Sequence, residues 1–200
     1  LLLLYFCPKL YLYCLMLAET FDHEKALHTL LYVVQQLGTP DYHKAFRTLY
    51  FAERKCLATY GNTIVGDGFI KMEAGPVPTE IYDLVKIADG RNNDKRLSEE
   101  YINSVKKQLG AVKPYNLKAL ADPDMDFFAE TEKECLHCAI EFCRHWSYSE
   151  LKEVSHDMAW GAASMSGVMD TLKIAAAGGA DEDAIKYLEE SISNSHYYSL

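Results

Sequence analysis

Basic side chains are scarce in this sequence. Its 200 residues carry 20 Lys and Arg against 29 Asp and Glu, a formal net charge of −9. That balance excludes an extended phosphate-binding surface, because long-range attraction to nucleic acid would have the wrong sign. Six cysteines at irregular spacing exclude a disulfide scaffold, which a chain of this length does not need. Reduced, mostly buried thiols in a cytoplasmic protein are expected instead. Nucleotide-binding signatures are missing as well: "GDG" at 66–68 and "AAAGGA" at 175–180 supply neither G-x-G-x-x-G nor the Lys-Ser/Thr of a phosphate loop. There is no internal repeat and no heptad run long enough for a coiled coil. Two hundred residues suit one domain with an appendage.

Residues 1–18, "LLLLYFCPKLYLYCLMLA", hold a single charge, Lys9, and do not match the pattern of the rest. A secretory signal would need a basic n-region and a small-residue cleavage site. A membrane span would have to accommodate Pro8 and Lys9 near its middle. The segment is set apart from the domain, as an interface segment or an artefact, with Met16 a conceivable true start.

From residue 22 onward the periodicity is helical. Asp22 is placed to cap a helix with a stripe of Leu27, Leu30, Leu31 and Val34, ended by Gly38. A second helix sets Phe46, Leu49, Tyr50, Leu57 and Tyr60 along one side and stops at Gly61. The period then changes: "NTIVGDGFIKM" reads as a small hairpin turning through Gly66-Asp67-Gly68. Next comes "EAGPVPTEIYDL", where Pro76 and Pro78 stiffen the backbone into an elbow. The elbow feeds a helix with Ile81, Leu84, Val85 and Ala88 on one face. A polar loop over 89–96 precedes a helix capped by Ser98 and ended by Gly110, and 116–120 reads as a short turn. Thr131 and Glu134 predict a capping box for a long helix reaching about His145, and Ser147 and Glu150 predict a second. Residues 161–180 are ambiguous between helix end and linker. Asp181 starts a terminal helix with Ile185, Leu188 and Ile192 on one face. The fold class expected is mainly α, a compact helical domain with a small two-stranded β-hairpin. The domains expected are 19–160 and a helical extension over 161–200.

Three clusters carry candidate chemistry. Cys135, His137, Cys138, Cys143 and His145 have metal-like density, but no second Cys-x-x-Cys knuckle accompanies them, and cysteines filling a helical core explain them better. Ser155, His156 and Asp157 resemble a triad only on paper, since sequence neighbours do not face one another on a helix. His156 is expected to make buried hydrogen bonds near a helix end, with Trp160 beside it. Asp122, Asp124 and Asp126 lack the remaining ligands of a calcium loop. No catalytic residue, metal or cofactor is assigned.

Taken in order, "LYFAERKCL" (49–57), "FIKMEAGPVPTEIYDLV" (69–85) and "YSELKEVSHDMAW" (148–160) resemble the Panacea, or SocA-like, domain over roughly residues 22–160. The motif residues carried onto this chain are Leu49, Tyr50 and Phe51, then Gly75, Pro76, Val77 and Tyr82, then Leu151, His156 and Trp160. The "ERK" after the first motif and the tail over 161–200 depart from the family pattern. The resemblance implies a mostly helical domain with a small β element that acts as a non-catalytic antitoxin. Such a protein neutralises a cognate toxin by direct contact, or delivers it to a protease as an adaptor, with no membrane or nucleic-acid partner. The elbow is then expected to hold a recognition surface in place.

Two other classes remain open. One is a hydrolase using His156 with Cys56, Cys143 or a carboxylate, which requires hydrogen-bond reach between them. The other is a nucleic-acid-binding regulator whose basic strip is Lys86, Arg91, Lys95, Arg96, Lys106, Lys107, Lys113 and Lys118. That strip is interrupted by Asp89, Asp94, Glu99 and Glu100 and has little aromatic interleaving.

Overall fold

A computed structural model describes residues 21–91, 97–112 and 115–198. The expectation for residues 1–18 lies outside the described residues, as do Lys95, Arg96 and Lys113. The described chain is mainly helical, with two small antiparallel hairpins.

Helix α1 (His23–Leu37) starts where Asp22 accepts from Lys25 N and ends at Gly38, as the cap residues require. Helix α2 (Tyr42–Tyr60) is capped by Asp41 and closed by Gly61. The one-sided stripe expected for α2 is too narrow. Every residue from Ala45 to Glu53 is buried, Arg47, Thr48 and Glu53 included, because α2 runs through the centre of the domain. Other elements pack around it, most extensively α5 (Glu130–Arg144), with α1 and the strand Gly75–Pro78 on other sides.

The first hairpin does not turn at Gly66-Asp67-Gly68. Strand β1 (Phe69–Met72) pairs with β2 (Gly75–Pro78) through a two-residue turn at Glu73-Ala74, so the proline elbow is itself a strand. Asp67 is drawn into the core instead. Its carboxylate accepts from Thr79 N at 3.0 Å, Glu80 N at 3.0 Å and Ile81 N at 2.9 Å, capping α3 (Thr79–Ala88) from twelve or more residues away. With the Thr79 hydroxyl, four donors gather on one carboxylate, more than a tight turn would supply.

The prolines of β2 have a positional reason. Thr79 N donates to Gly68 O, so the odd-numbered residues of β2 turn their N–H groups toward β1. Pro76 and Pro78 occupy the alternate positions, whose donors would face away from β1. Both prolines are buried, and a proline there leaves no orphan N–H.

Helix α4 (Glu99–Gln108) is capped by Ser98 as expected, but Gly110 does not end it. Leu109–Val112 forms β3 and pairs with β4 (Asn116–Ala119), which replaces the expected turn at 116–120. Helix α5 begins two residues off the expected Thr131–Glu134 box. Ala129 is its N-cap residue, and Glu132 reaches back to Ala129 N at 2.9 Å. Ser147 and Glu150 cap α6 (Tyr148–Ser155) as expected, with Ser147 N donating to Glu150 at 2.7 Å. After α7 (Met158–Ala162), residues 166–169 lie along the free side of β1: Lys71 N donates to Gly167 O at 3.0 Å and Met169 N to Phe69 O at 2.7 Å. Helix α8 (Thr171–Ala177) buries Ile174 and Ala175, and Gly178 at its end touches Arg54 O so closely that no side chain fits there. Helix α9 (Glu182–Tyr198) completes the chain and buries Leu188.

Candidate functional site

One face of α2 carries Arg47, Tyr50 and Arg54 at i, i+3 and i+7, the spacing that stacks side chains along a helix. Opposite this face lie the β1–β2 turn and the α6–α7 corner. Asp157, between α6 and α7, joins the two. Its Oδ2 accepts from Tyr50 Oη at 2.8 Å and from Arg54 Nη1 at 2.8 Å, while its Oδ1 caps α7 by accepting from Ala159 N and Trp160 N. Burial, and then the Asp157 charge, push the Tyr50 phenol far above its ordinary range.

The hairpin turn is pinned to the same corner. Trp160 Nε1 donates to Met72 O at 3.1 Å, the His156 ring stacks on Trp160 at 3.7 Å, and Lys71 Nζ lies 4.0 Å from the indole centroid. Lys71 Nζ also donates to Ala163 O at 3.0 Å. Gly75 completes the contact, with φ at +125°, a region closed to side chains. A Cβ there would meet Ser155 Oγ at 2.9 Å and Arg47 Nε at 3.2 Å.

Arg47 is fully buried under this turn. Nη2 donates to Ala74 O, and the guanidinium lies 4.8 Å from the ring centroid of Tyr148. Burial lowers its pKa, and the Tyr148 side chain opposes that shift. Arg47 Nε and His156 Nε2 are both buried without a hydrogen-bond partner among the described residues. Burial, with Lys152 and Arg47 nearby, holds the His156 imidazole below its ordinary pKa.

The family-motif residues divide between this corner and the core. Tyr50, Gly75, His156 and Trp160 come together here, Pro76 is buried in β2 opposite Lys71, and Leu151 is fully buried in α6, which packs on α2 and β2. Leu49 faces elsewhere, beside Glu53, Asp67 and Ile81 around a small internal cavity. Phe51 packs edge-on against Phe142 at 5.2 Å, toward α5. Val77 pairs with Ile70 in the hairpin, and Tyr82 on α3 packs against Phe46 at 5.7 Å. Sequence reasoning did not single out Arg47 or Lys71, and it met Arg54 and Asp157 only within "ERK" and the Ser155-His156-Asp157 run. A signal for Arg47 was available: it stands among Ala45, Phe46, Leu49, Tyr50 and Phe51 on α2. Arg54 belongs to the charged "ERK" that departs from the family pattern.

Ser155, His156 and Asp157 turn to three different partners. Ser155 Oγ donates to Lys152 O at 3.1 Å, His156 stacks on Trp160, and Asp157 binds Tyr50 and Arg54. The cysteine cluster is split across α5: Cys135 and Cys143 are buried, while Cys138, His137 and His145 are exposed. Burial pushes the Cys143 thiol up to about 11, and Cys135 and Cys56 are shifted the same way. Among the described residues no group of three or more His, Cys, Asp and Glu is arranged to hold a metal ion. No helix among them is long and apolar enough to cross a membrane. Of the basic strip, Lys86 pairs with Asp83 and Arg91 with Asp89.

A family model described as "Antitoxin SocA-like, Panacea domain" matches residues 46–161, more than half of the chain and the whole of this corner. No curated protein and no solved structure matches the chain.

Proposed function

The chain belongs to the antitoxin SocA-like, Panacea domain family, and from that premise we propose that it is a non-catalytic binding protein that neutralises a partner toxin by direct contact or delivers it to a protease. One observation carries the reading. Motif residues about a hundred positions apart, Tyr50, Gly75, His156 and Trp160, are spent on packing one corner together rather than on aligning a nucleophile with a base. A preformed corner of this kind presents a surface at low ordering cost, which favours association. The contacts of His156 among the described residues are with Trp160, Lys152, Arg47, Glu73 and Lys71, and none is with Cys56 or Cys143, which the hydrolase reading needs within hydrogen-bond reach.

The proposal extends to organisation and place. Residues 19–160 form the family domain, 161–200 a helical extension that diversifies the partner surface, and the protein acts in the cytoplasm. The test is coexpression with the product of the adjacent gene. Relief of that product's toxicity together with co-purification is expected. A neighbour that is harmless alone and never co-purifies contradicts the reading.

A further inference from the structure

Arg47 and Arg54 lie two turns apart on α2, and only one of them has a carboxylate. Arg54 pairs with Asp157. Arg47 is 1% exposed, with no ion pair to any described carboxylate. Its nearest acidic influence is Asp41, whose side chain is occupied in capping α2. An arginine has five N–H donors. Here Nη2 uses one on Ala74 O, the Tyr148 side chain takes another, and Nε–H has no partner. A buried, uncompensated cation is costly, and a well-packed apolar side chain of similar volume generally serves stability as well or better. Folding alone therefore gives little reason for a guanidinium at this position.

Tyr148 lies over Arg47. It is the first residue of α6 and 48% exposed; its ring face and a side-chain hydrogen bond meet the guanidinium, and its ring packs edge-to-face against His43. The surroundings carry both signs. Lys152, Arg47 and Lys71 all act on His156, whose buried Nε2 is a second polar atom without a partner at the same turn. Glu73 and Glu153 are exposed nearby. Carboxylates and cations share this corner of a chain of net charge −9, and the guanidinium of Arg47, which has no carboxylate of its own, is the group complementary to an acidic side chain.

We propose that Arg47 is the receptor for an acidic side chain of the protein partner: an Asp or Glu that enters beside the β1–β2 turn, displaces the Tyr148 ring and pairs with the guanidinium. The inference rests on the protein-binding reading above. It adds the chemistry of the contact, a carboxylate anchored on a buried arginine and closed over by the partner.

The test uses the full chain and the protein that co-purifies with it. Arg47→Met is expected to keep a denaturation midpoint close to wild type while losing partner affinity on the order of a hundredfold, as truncating one member of a buried charge pair does. Tyr148→Ala removes the cover together with its hydrogen bond to Arg47 and is expected to bind at least as tightly as wild type. Neutralising the partner's Asp and Glu residues one at a time is expected to find one substitution that weakens binding to wild type and has no further effect on Arg47→Met. Unchanged affinity of Arg47→Met, its failure to fold, weaker binding by Tyr148→Ala, or the absence of any coupled acidic residue each overturns the inference. Failure of the wild-type chain to bind any partner is a different result and counts against the preceding reading.

Discussion

Tyr50 Oη and Asp157 Oδ2 are 2.8 Å apart, a hydrogen bond between residues 107 positions apart in sequence. Arg54 donates to the same oxygen, so one carboxylate ties the central helix to the start of α7. Asp157 is 14% and Arg54 24% exposed at the side chain, which makes this a partly buried pair and stronger than a surface one. Asp157→Ala is expected to destabilise the protein by about 2–3 kcal/mol, since it strands two donors and uncaps α7. Tyr50→Phe, which removes one hydrogen bond to a charged acceptor, is expected to cost about 1.5 kcal/mol. Urea titrations of both variants check this, and equal midpoints for Asp157→Ala and wild type would refute it.

Gly75→Ala is expected to cost about 1–3 kcal/mol from backbone strain alone, with an added penalty where the methyl meets Ser155 and Arg47. Equilibrium denaturation measures the loss. Partner affinity should fall with it, because the displaced groups belong to the same corner.

Pro76→Ala restores an N–H that faces away from β1 at a buried position, so the variant buries a donor and loosens the unfolded chain as well. A loss of about 1–3 kcal/mol is expected. Asp122 accepts one exposed hydrogen bond from Gln35, and Asp122→Ala is expected to change stability by less than about 0.5 kcal/mol. The pair is compared by denaturation, and the reverse order would show that the constraint lies elsewhere.

Stability should fall as pH rises through neutrality. Burial raises the Glu53 carboxyl to about 8 and the Asp67 carboxyl to about 6. The folded state holds both protons more tightly than the unfolded chain. The Glu53 contribution is therefore full below its ordinary value of 4.5, declines as pH rises, and is gone above about 8. Its total is on the order of a few kcal/mol. In Glu53→Gln the decline is expected to end near 6, where Asp67 completes its titration. Denaturation midpoints measured from pH 4 to pH 9 distinguish the two chains, and identical slopes between 6 and 8 would refute the assignment.

The helices were legible because their signals are local. Asp22, Ser98 and Ser147 mark starts that the structure keeps, and the apolar period marks the buried faces of α1 and α3. What sequence did not reveal depends on partners far along the chain. Asp67 looks like a turn residue until α3 supplies three N–H groups to it. Gly110 looks like a helix stop until Lys118 pairs opposite it in β4. At the candidate site the motif residues Tyr50, Gly75, His156 and Trp160 were visible, Arg47 showed only as a charge in an apolar stretch, and Lys71 and Asp157 acquire their roles from the tertiary contacts that surround them. Local pattern carries little information about which buried charge finds a counter-ion.

Hydrogen–deuterium exchange of the chain, free and in complex with the protein that co-purifies with it, tests the central claim most directly. A binding surface at the β1–β2 turn and the α6–α7 corner predicts added protection over residues 71–75 and 147–163, with β3 and β4 unchanged. Protection confined to β3, β4 and the neighbouring end of α3, with the corner unchanged, would contradict it.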